Sequence, residues 1–369
     1  MNQKLLIVAM SVCIFFSVNG LNAEERVKDK KPGIHLKGDV RLRVQSDKKE
    51  STESRLRQRV RFRLGGKSHL SEDTVVKFGL ATGGADPRST NQTLENAFQS
   101  PDFRLDYVFV KHQLSDKWML MGGKMKNPFW RPTDLLWDTD INPDGIGISF
   151  KQKSENMKWF IKAGYFILDE LSTDTEDPFM IALQPGMFWK LTEQSKAKVA
   201  LSYYLSVNAK GKVIDSTVSQ GNNSLTGGGL SDDFSSLVLS SEIAFRDQFG
   251  LDMIKPFGEV VINTNQSNGN KGYIAGIAFG DRKVNDYGKW QTTFSYRYLG
   301  ADAFLDILPD ADAYGGRTDV EGYEIAFKCG ISKSTTFVID YYNMNRIFGT
   351  KDNESLIQFD LMFRFKSIS

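Results

Sequence analysis

Apolar and polar residues alternate with a period of two through much of the chain, most plainly between Arg55 and Leu64. Arg55, Arg57, Arg59, Arg61 and Arg63 take turns there with Leu56, Gln58, Val60, Phe62 and Leu64. A two-residue period places alternate side chains on opposite faces of a β-strand, whereas a helix would spread the arginines around its whole circumference. The predicted strand carries five guanidinium groups on one face, roughly 7 Å apart, and a mostly apolar face opposite. A row of like charges needs water, counter-ions or facing carboxylates. The other face needs hydrocarbon or a packed sheet. A membrane-spanning barrel with a wet interior supplies both. A soluble strand binding nucleic acid or another polyanion would also suit the arginines, so this stretch alone leaves two readings open.

The pattern recurs on both sides. Ile34, Leu36, Val40, Leu42 and Val44 oppose His35, Lys37, Asp39, Arg41, Arg43 and Gln45. Further strands are predicted around residues 76–80, 103–109, 118–125, 146–150, 158–165, 179–190, 198–205 and 237–246. Others follow at 253–263, 273–279, 290–298, 323–328, 337–341 and 357–365, giving 16 in all. Pro185 predicts a bulge or a sheet edge within 179–190. Connections alternate in length. Residues 113–116, 152–156, 192–196, 247–251 and 332–334 are short; 83–102, 126–144, 208–233 and 300–318 are long and polar. An up-and-down barrel sorts its connections this way, with turns at one rim and loops at the other; a soluble sandwich has no reason to. The expected fold is all-β, a 16-stranded antiparallel transmembrane β-barrel. Its short turns and both termini would be periplasmic and its long loops extracellular. Sixteen strands enclose a water-filled lumen rather than a packed core.

Composition supports the membrane reading. Lys4, the apolar run Leu5–Phe16 and the small residues before Glu24 predict a secretory signal peptide over 1–23. A charged, disordered segment follows over 24–32 and the barrel over 33–369. The leader removes only Lys4, so the net charge falls from +2 to about +1, which argues against a general polyanion binder and against nucleic acid as a partner. No later segment has 18 consecutive apolar residues, so no spanning helix is expected. Cys329 alone remains beyond the leader, and no intrachain disulfide can form.

The histidines, His35, His69 and His112, all fall near the short-turn rim. None is placed to activate a serine or a water at the long-loop side, so catalysis is not expected, nor is a cofactor. Lys124–Gly145 would be the third long-side loop. Folded inward, it would narrow the channel and bring Asp134, Asp138, Asp140 and Asp144 opposite a basic wall. That wall would consist of Arg41 and Arg43 with Arg55, Arg57, Arg59, Arg61 and Arg63. The resulting transverse field orients polar solutes. The run from Asp138 to Asp144 has the spacing of a calcium loop, but Pro143 and Ser149 stand where an EF-hand needs Gly and Glu. An Asx or Pro-Gly turn facing arginines is the favoured reading, and no metal is expected.

These motifs carry a resemblance. Met121–Phe129, Leu136–Gly145, Phe78–Gly83, Phe103–Tyr107 and the arginine strand together resemble the Putative porin family of Gram-negative outer membranes, most clearly over residues 38–150. The resemblance implies passive diffusion of small hydrophilic solutes and ions through a barrel seated in outer-membrane lipid. It also implies a homotrimer, and it names no substrate. The chain departs from the usual aromatic C-terminus, since Lys366-Ser-Ile-Ser369 follows Phe365. The competing reading is a substrate-specific outer-membrane channel with an internal binding site.

Overall fold

The structure, a computed structural model, describes residues 33–172, 175–214 and 223–367; the predicted leader (1–23) and the charged segment (24–32) lie outside the described residues. The barrel strands are β1 (Ile34–Lys49), β2 (Arg55–His69), β3 (Thr74–Thr82), β4 (Phe103–Gln113), β5 (Trp118–Lys124), β6 (Asp144–Lys153), β7 (Met157–Ile167) and β8 (Phe179–Lys190). They continue as β9 (Ser195–Val207), β10 (Ser235–Gln248), β11 (Leu251–Asn263), β12 (Lys271–Gly280), β13 (Trp290–Leu299), β14 (Val320–Gly330), β15 (Thr335–Arg346) and β16 (Glu354–Lys366). Each pairs antiparallel with its sequence neighbour, and β1 pairs with β16 from Lys37↔Lys366 to Lys49↔Glu354. That last ladder closes the sheet, so the described residues form a barrel of 16 strands. Closure removes the unpaired edges that a membrane cannot satisfy.

Register fixes which face each residue takes. Asp39↔Arg63, Arg41↔Arg61, Arg43↔Arg59, Gln45↔Arg57 and Asp47↔Arg55 are directly opposed across β1 and β2. All ten project into the barrel, while Leu42, Val44 and Leu56 point out and are exposed. Ile161, Leu183, Leu239, Val260, Phe294 and Phe359 extend this exposed apolar surface around the cylinder. So much apolar area open to water would be untenable in a monomer; it is the surface that meets hydrocarbon. A slip of one residue would turn the arginines outward, so burial of the charges specifies the register.

Pro185 does not make the bulge or edge expected of it. β7 pairs straight through it (Ile161↔Pro185), and β9 holds one register on either side, at Ala200↔Gly186 and Tyr203↔Leu183. The missing N–H interrupts rungs without shifting them, and Gln184 Nε2 bridges the gap by donating to Ser202 Oγ at 2.8 Å. The bulge lies instead at Gly79/Leu80, where Gly79 pairs with Tyr107 and Leu80 with Leu105. Asp106, left over, is buried; its carboxylate accepts from Lys126 Nζ at 3.0 Å and Asn142 Nδ2 at 2.9 Å.

The long-side connections 125–143 and 300–319 enter the barrel, and residues 88–91 of the 83–102 loop meet them at the arginine wall. Phe129, Leu135, Leu136, Trp137 and Ile141 of the first pack with Phe304, Leu305, Ile307 and Leu308 of the second. Wall residues Phe166, Tyr204, Val238 and Val261 complete this buried cluster. The interior is therefore not open across its full width. Apolar packing, worth roughly 1.5–3 kcal/mol for each large side chain buried, fills one side, and polar cavities remain along the arginine wall.

Candidate functional site: the charged lumen wall and its two inward loops

Charged side chains crowd the inner face of β1, β2 and β16. Arg41 and Arg61 oppose each other directly, as do Arg43 and Arg59, an arrangement that repels unless acids intervene. Asp39 accepts from Arg61 Nη2 at 2.6 Å and from Arg63 Nε at 2.9 Å. Asp360 takes Arg43 in a two-pronged contact, at 2.7 Å from Nε and 2.8 Å from Nη2, the geometry in which guanidinium and carboxylate match best. Arg41 reaches Asp360 at 3.4 Å and Asn91 at 2.5 Å. Arg57 pairs with Asp47 at 3.0 Å. Arg59 is held by neutral acceptors only, Gln45 Oε1 at 3.3 Å and Asn91 O at 3.3 Å, and Arg55 is exposed at the long-loop end.

The four loop aspartates go to four places. Asp140 faces the arginine row, accepting from Arg63 Nη1 at 3.3 Å and from the hydroxyl of Thr90 at 2.8 Å. Burial opposes its ionisation, but Arg63 and Arg61 outweigh burial and hold it below the usual carboxylate range. Asp134 crosses to the other side of the barrel and pairs with Arg297 of β13 at 3.0 Å. The Asp138 carboxylate has no arginine within hydrogen-bonding reach among the described residues, although Arg131 Nη1 donates to the Asp138 carbonyl at 3.5 Å; the carboxylate accepts the backbone N–H of Ala311 (2.8 Å) and of Asp140 (2.8 Å). Burial, then the charge of Asp140, pushes it up to about 8. Asp144 opens β6 at the surface and pairs with Lys124 at 2.9 Å. Because these carboxylates diverge, they do not converge on a single point as calcium ligands would, and among the described residues no cluster of three or more such groups is arranged to hold a metal.

The loop at 300–319 supplies the acids that face much of the wall. Asp312 pairs with Arg43 at 3.2 Å; burial would raise it, yet Arg43 and Arg41 hold it low. Asp310 pairs with Arg297 at 3.3 Å, and burial together with the neighbouring Asp134 charge drives it well above the ordinary range. Arg297 thus gathers one acid from each inward loop and one from the wall, Glu324 at 3.0 Å. The loops also latch to each other, Asp138 N donating to Leu308 O at 2.7 Å. Between them and the wall lie two cavities. One, of about 200 Å³, is lined by Arg41, Arg61, Arg63, Arg88 and Asp140. The larger, of about 470 Å³, is bounded by Arg43, Asp134, Asp310, Asp340 and Asp360.

A closed barrel with a charged lumen narrowed from one rim is what known channel proteins look like, and the comparisons agree. The sequence profile of the family described as Putative porin matches residues 39–236 and 231–365. The chain belongs to the Putative porin family. A solved structure of Pseudomonas putida OprB at high pH superposes with a TM-score of 0.62 at 12% identity, covering 90% of this chain and 94% of that one. The outer membrane channel DcaP of Acinetobacter baumannii gives 0.53 at 12% identity, covering 92% and 99%. Salmonella typhi OmpF, solved in complex with daunomycin, gives 0.52 at 11%, covering 92% and 99%. At such identities the likeness shows the fold alone. A search of curated proteins returned no significant match.

As a porin of the Gram-negative outer membrane, the chain is a diffusion channel whose short turns are periplasmic and whose inward loops are extracellular in origin. Of the four loop aspartates expected opposite the basic wall, Asp140 is the one that lies against Arg63. Sequence reading missed Asp39, Asp47 and Asp360 as the arginines' partners, although all three lie on the polar faces of their strands. It also missed the entry of 300–319. The signal there was Phe304, Leu305, Ile307 and Leu308, four large apolar residues inside a connection otherwise rich in Asp and Gly.

Proposed function

We propose that this porin passes small hydrophilic solutes and ions by passive diffusion, with a preference for anions. Its basic wall would be Arg41, Arg43, Arg55, Arg57, Arg59, Arg61 and Arg63, and its constriction the two inward loops. Asp140 would serve as the acidic contact of the 125–143 loop with the arginine row; Asp134, Asp138 and Asp144 would anchor that loop. The observation that carries the reading is the polarity of the lumen: the arginines face a polar cavity system instead of the apolar cluster. The anion preference rests on inward lysines on the β2–β9 side, several of which have no acid partner among the described residues. Catalysis has no support from the histidines. His35 and His69 lie at the periplasmic ends of β1 and β2, and His112 Nδ1 is bonded to Thr74 Oγ1 at 2.9 Å near the same rim. The homotrimer implied by the resemblance, with outer-membrane lipid around it, belongs to the same proposal; cross-linking in intact membranes tests it.

Reconstitution in planar bilayers is the direct experiment. Stepwise, ohmic conductance with a reversal potential on the anion side of zero in a salt gradient is expected. Properly folded barrels that carry no current would refute the channel, and a cation-side potential would refute the preference.

A further inference from the structure

The arginines of β1 and β2 are largely neutralised, but a second set of cations is not. Lys67 of β2 and Lys77 of β3 are directly opposed on the inner face near the periplasmic end. Lys77 lies within electrostatic reach of Lys37 and Lys67, Lys111 of Lys77, and Lys162 of both Lys111 and Lys198. The charges thus form one continuous track around the inner wall from β1 to β9. Nothing acidic is ion-paired with any of these six among the described residues. Lys198 ends the track, because its cross-strand neighbour is Glu242, itself bound to Lys255 at 3.3 Å. Opposed like charges in a sheet are destabilising, so an uncompensated row of them is a feature that water or a passing anion must satisfy.

Aromatic rings accompany the track. Lys111 Nζ sits 5.8 Å from the centre of the Phe109 ring, and Lys162 Nζ lies 5.3 Å from that of Phe160. Lys198 Nζ lies 4.4 Å over Trp130, on the first turn of the inward loop, and Lys162 Nζ donates to Pro128 O at 2.6 Å. The row therefore runs from the periplasmic mouth to the underside of the constriction. It offers neighbouring positive charges, with flat aromatic surface beside Lys111, Lys162 and Lys198.

We propose that this track is a binding site for organic anions that carry two or more negative charges on a flat apolar body. The inference rests on the channel reading and names its solute class. Adjacent lysines would hold separate anionic groups, and Phe109 and Phe160 would cover the body between them. A single-charge anion engages one lysine at a time and gains little in water. Spanning two or three gains their sum while relieving their mutual repulsion.

The test is calorimetric titration of refolded, full-length porin in detergent with benzene-1,3,5-tricarboxylate, benzoate and inorganic triphosphate. The tricarboxylate is expected to bind at least tenfold more tightly than benzoate, and triphosphate, which lacks the ring, more weakly than the tricarboxylate. Lys77→Gln/Lys111→Gln, which leaves the Lys162–Pro128 contact intact, is expected to weaken the tricarboxylate at least tenfold. Heat-modifiable gel mobility verifies that the variant folds. Equal affinity in wild type and double variant, or benzoate binding as tightly as the tricarboxylate, overturns the track. Triphosphate binding as tightly as the tricarboxylate overturns the part given to the rings. Calorimetry needs no current, so a porin that binds the tricarboxylate yet never conducts would sink the channel reading and leave the site standing.

Discussion

Arg297 shows how much one buried charge can organise. It is only 2% exposed and draws together Asp134, Asp310 and Glu324, so both inward loops end on the same guanidinium. Removing one partner of a buried ionic network costs about 3–5 kcal/mol, because it strands the charges left behind. Arg297→Ala is therefore expected to release the loops and leave the hydrogen-bonded wall in place. Limited trypsin digestion should cut faster at Lys126 and Arg317, while the unheated barrel keeps its gel mobility; unchanged loop cleavage would count against the hub. Asp138 makes a second prediction at this scale. With its carboxyl raised to about 8 by burial and by Asp140, the folded protein holds a proton that the unfolded chain has released above its ordinary value of 3.8. Its contribution is full below that value and is lost as pH rises through about 8. The contact between the two loops should thus loosen between pH 6 and 9, read as faster amide exchange at Ala311 and Asp138 than intrinsic chemistry explains. Asp138→Asn should flatten that pH dependence; an equally steep response in the variant would point to another group.

At the scale of elements, loop 300–319 behaves as part of the interior. Ala303–Leu308 packs on the strand walls, Arg88 of the 83–102 loop donates to Gly316 O at 3.0 Å, and Asp312 reaches Arg43. Replacing Phe304–Leu308 with a glycine–serine run removes five apolar or acidic anchors at once. Single-channel conductance is then expected to rise severalfold, and neutral sugars too large for the native channel should permeate. If conductance holds constant, 125–143 alone sets the constriction. The strands were legible in the sequence because each meets lipid on one side and water on the other, which enforces a period of two over its length. The loops were not, because nothing local marks their destination. Asp134 finds its partner 163 residues away, and the apolar residues at 304, 305, 307 and 308 lack the period of two that marks the strands. The arginine row was legible as a charged face. Its partners required the register of β1 on β2 and on β16, which only the closed sheet supplies.

Across the whole molecule, charge is sorted by sector. Inward lysines and arginines concentrate on β1 through β9, while Glu242, Glu259, Glu324, Asp340 and Asp360 occupy β10, β11, β14, β15 and β16. The acids are largely committed: Glu259 accepts from Ser240 at 2.7 Å, Glu324 from Arg297, and Asp360 from Arg43. The periplasmic lysines are not so committed, so the field felt by a mobile ion in the lower lumen is net positive even though the chain is nearly neutral. Such a field acts through water and is screened by salt. The Debye length is about 10 Å at 0.1 M and about 3 Å at 1 M, shorter at the higher concentration than the distance from wall to channel axis. Anion preference, taken from reversal potentials at a fixed concentration ratio, should therefore be clear at 0.1 M and nearly vanish at 1 M. Lys67→Gln/Lys77→Gln should reduce it further at 0.1 M, since that opposed pair carries two charges with no ion-paired acid among the described residues. A preference that survives 1 M salt unchanged would mean that discrimination arises at desolvated contacts in the constriction and not from the field of the wall.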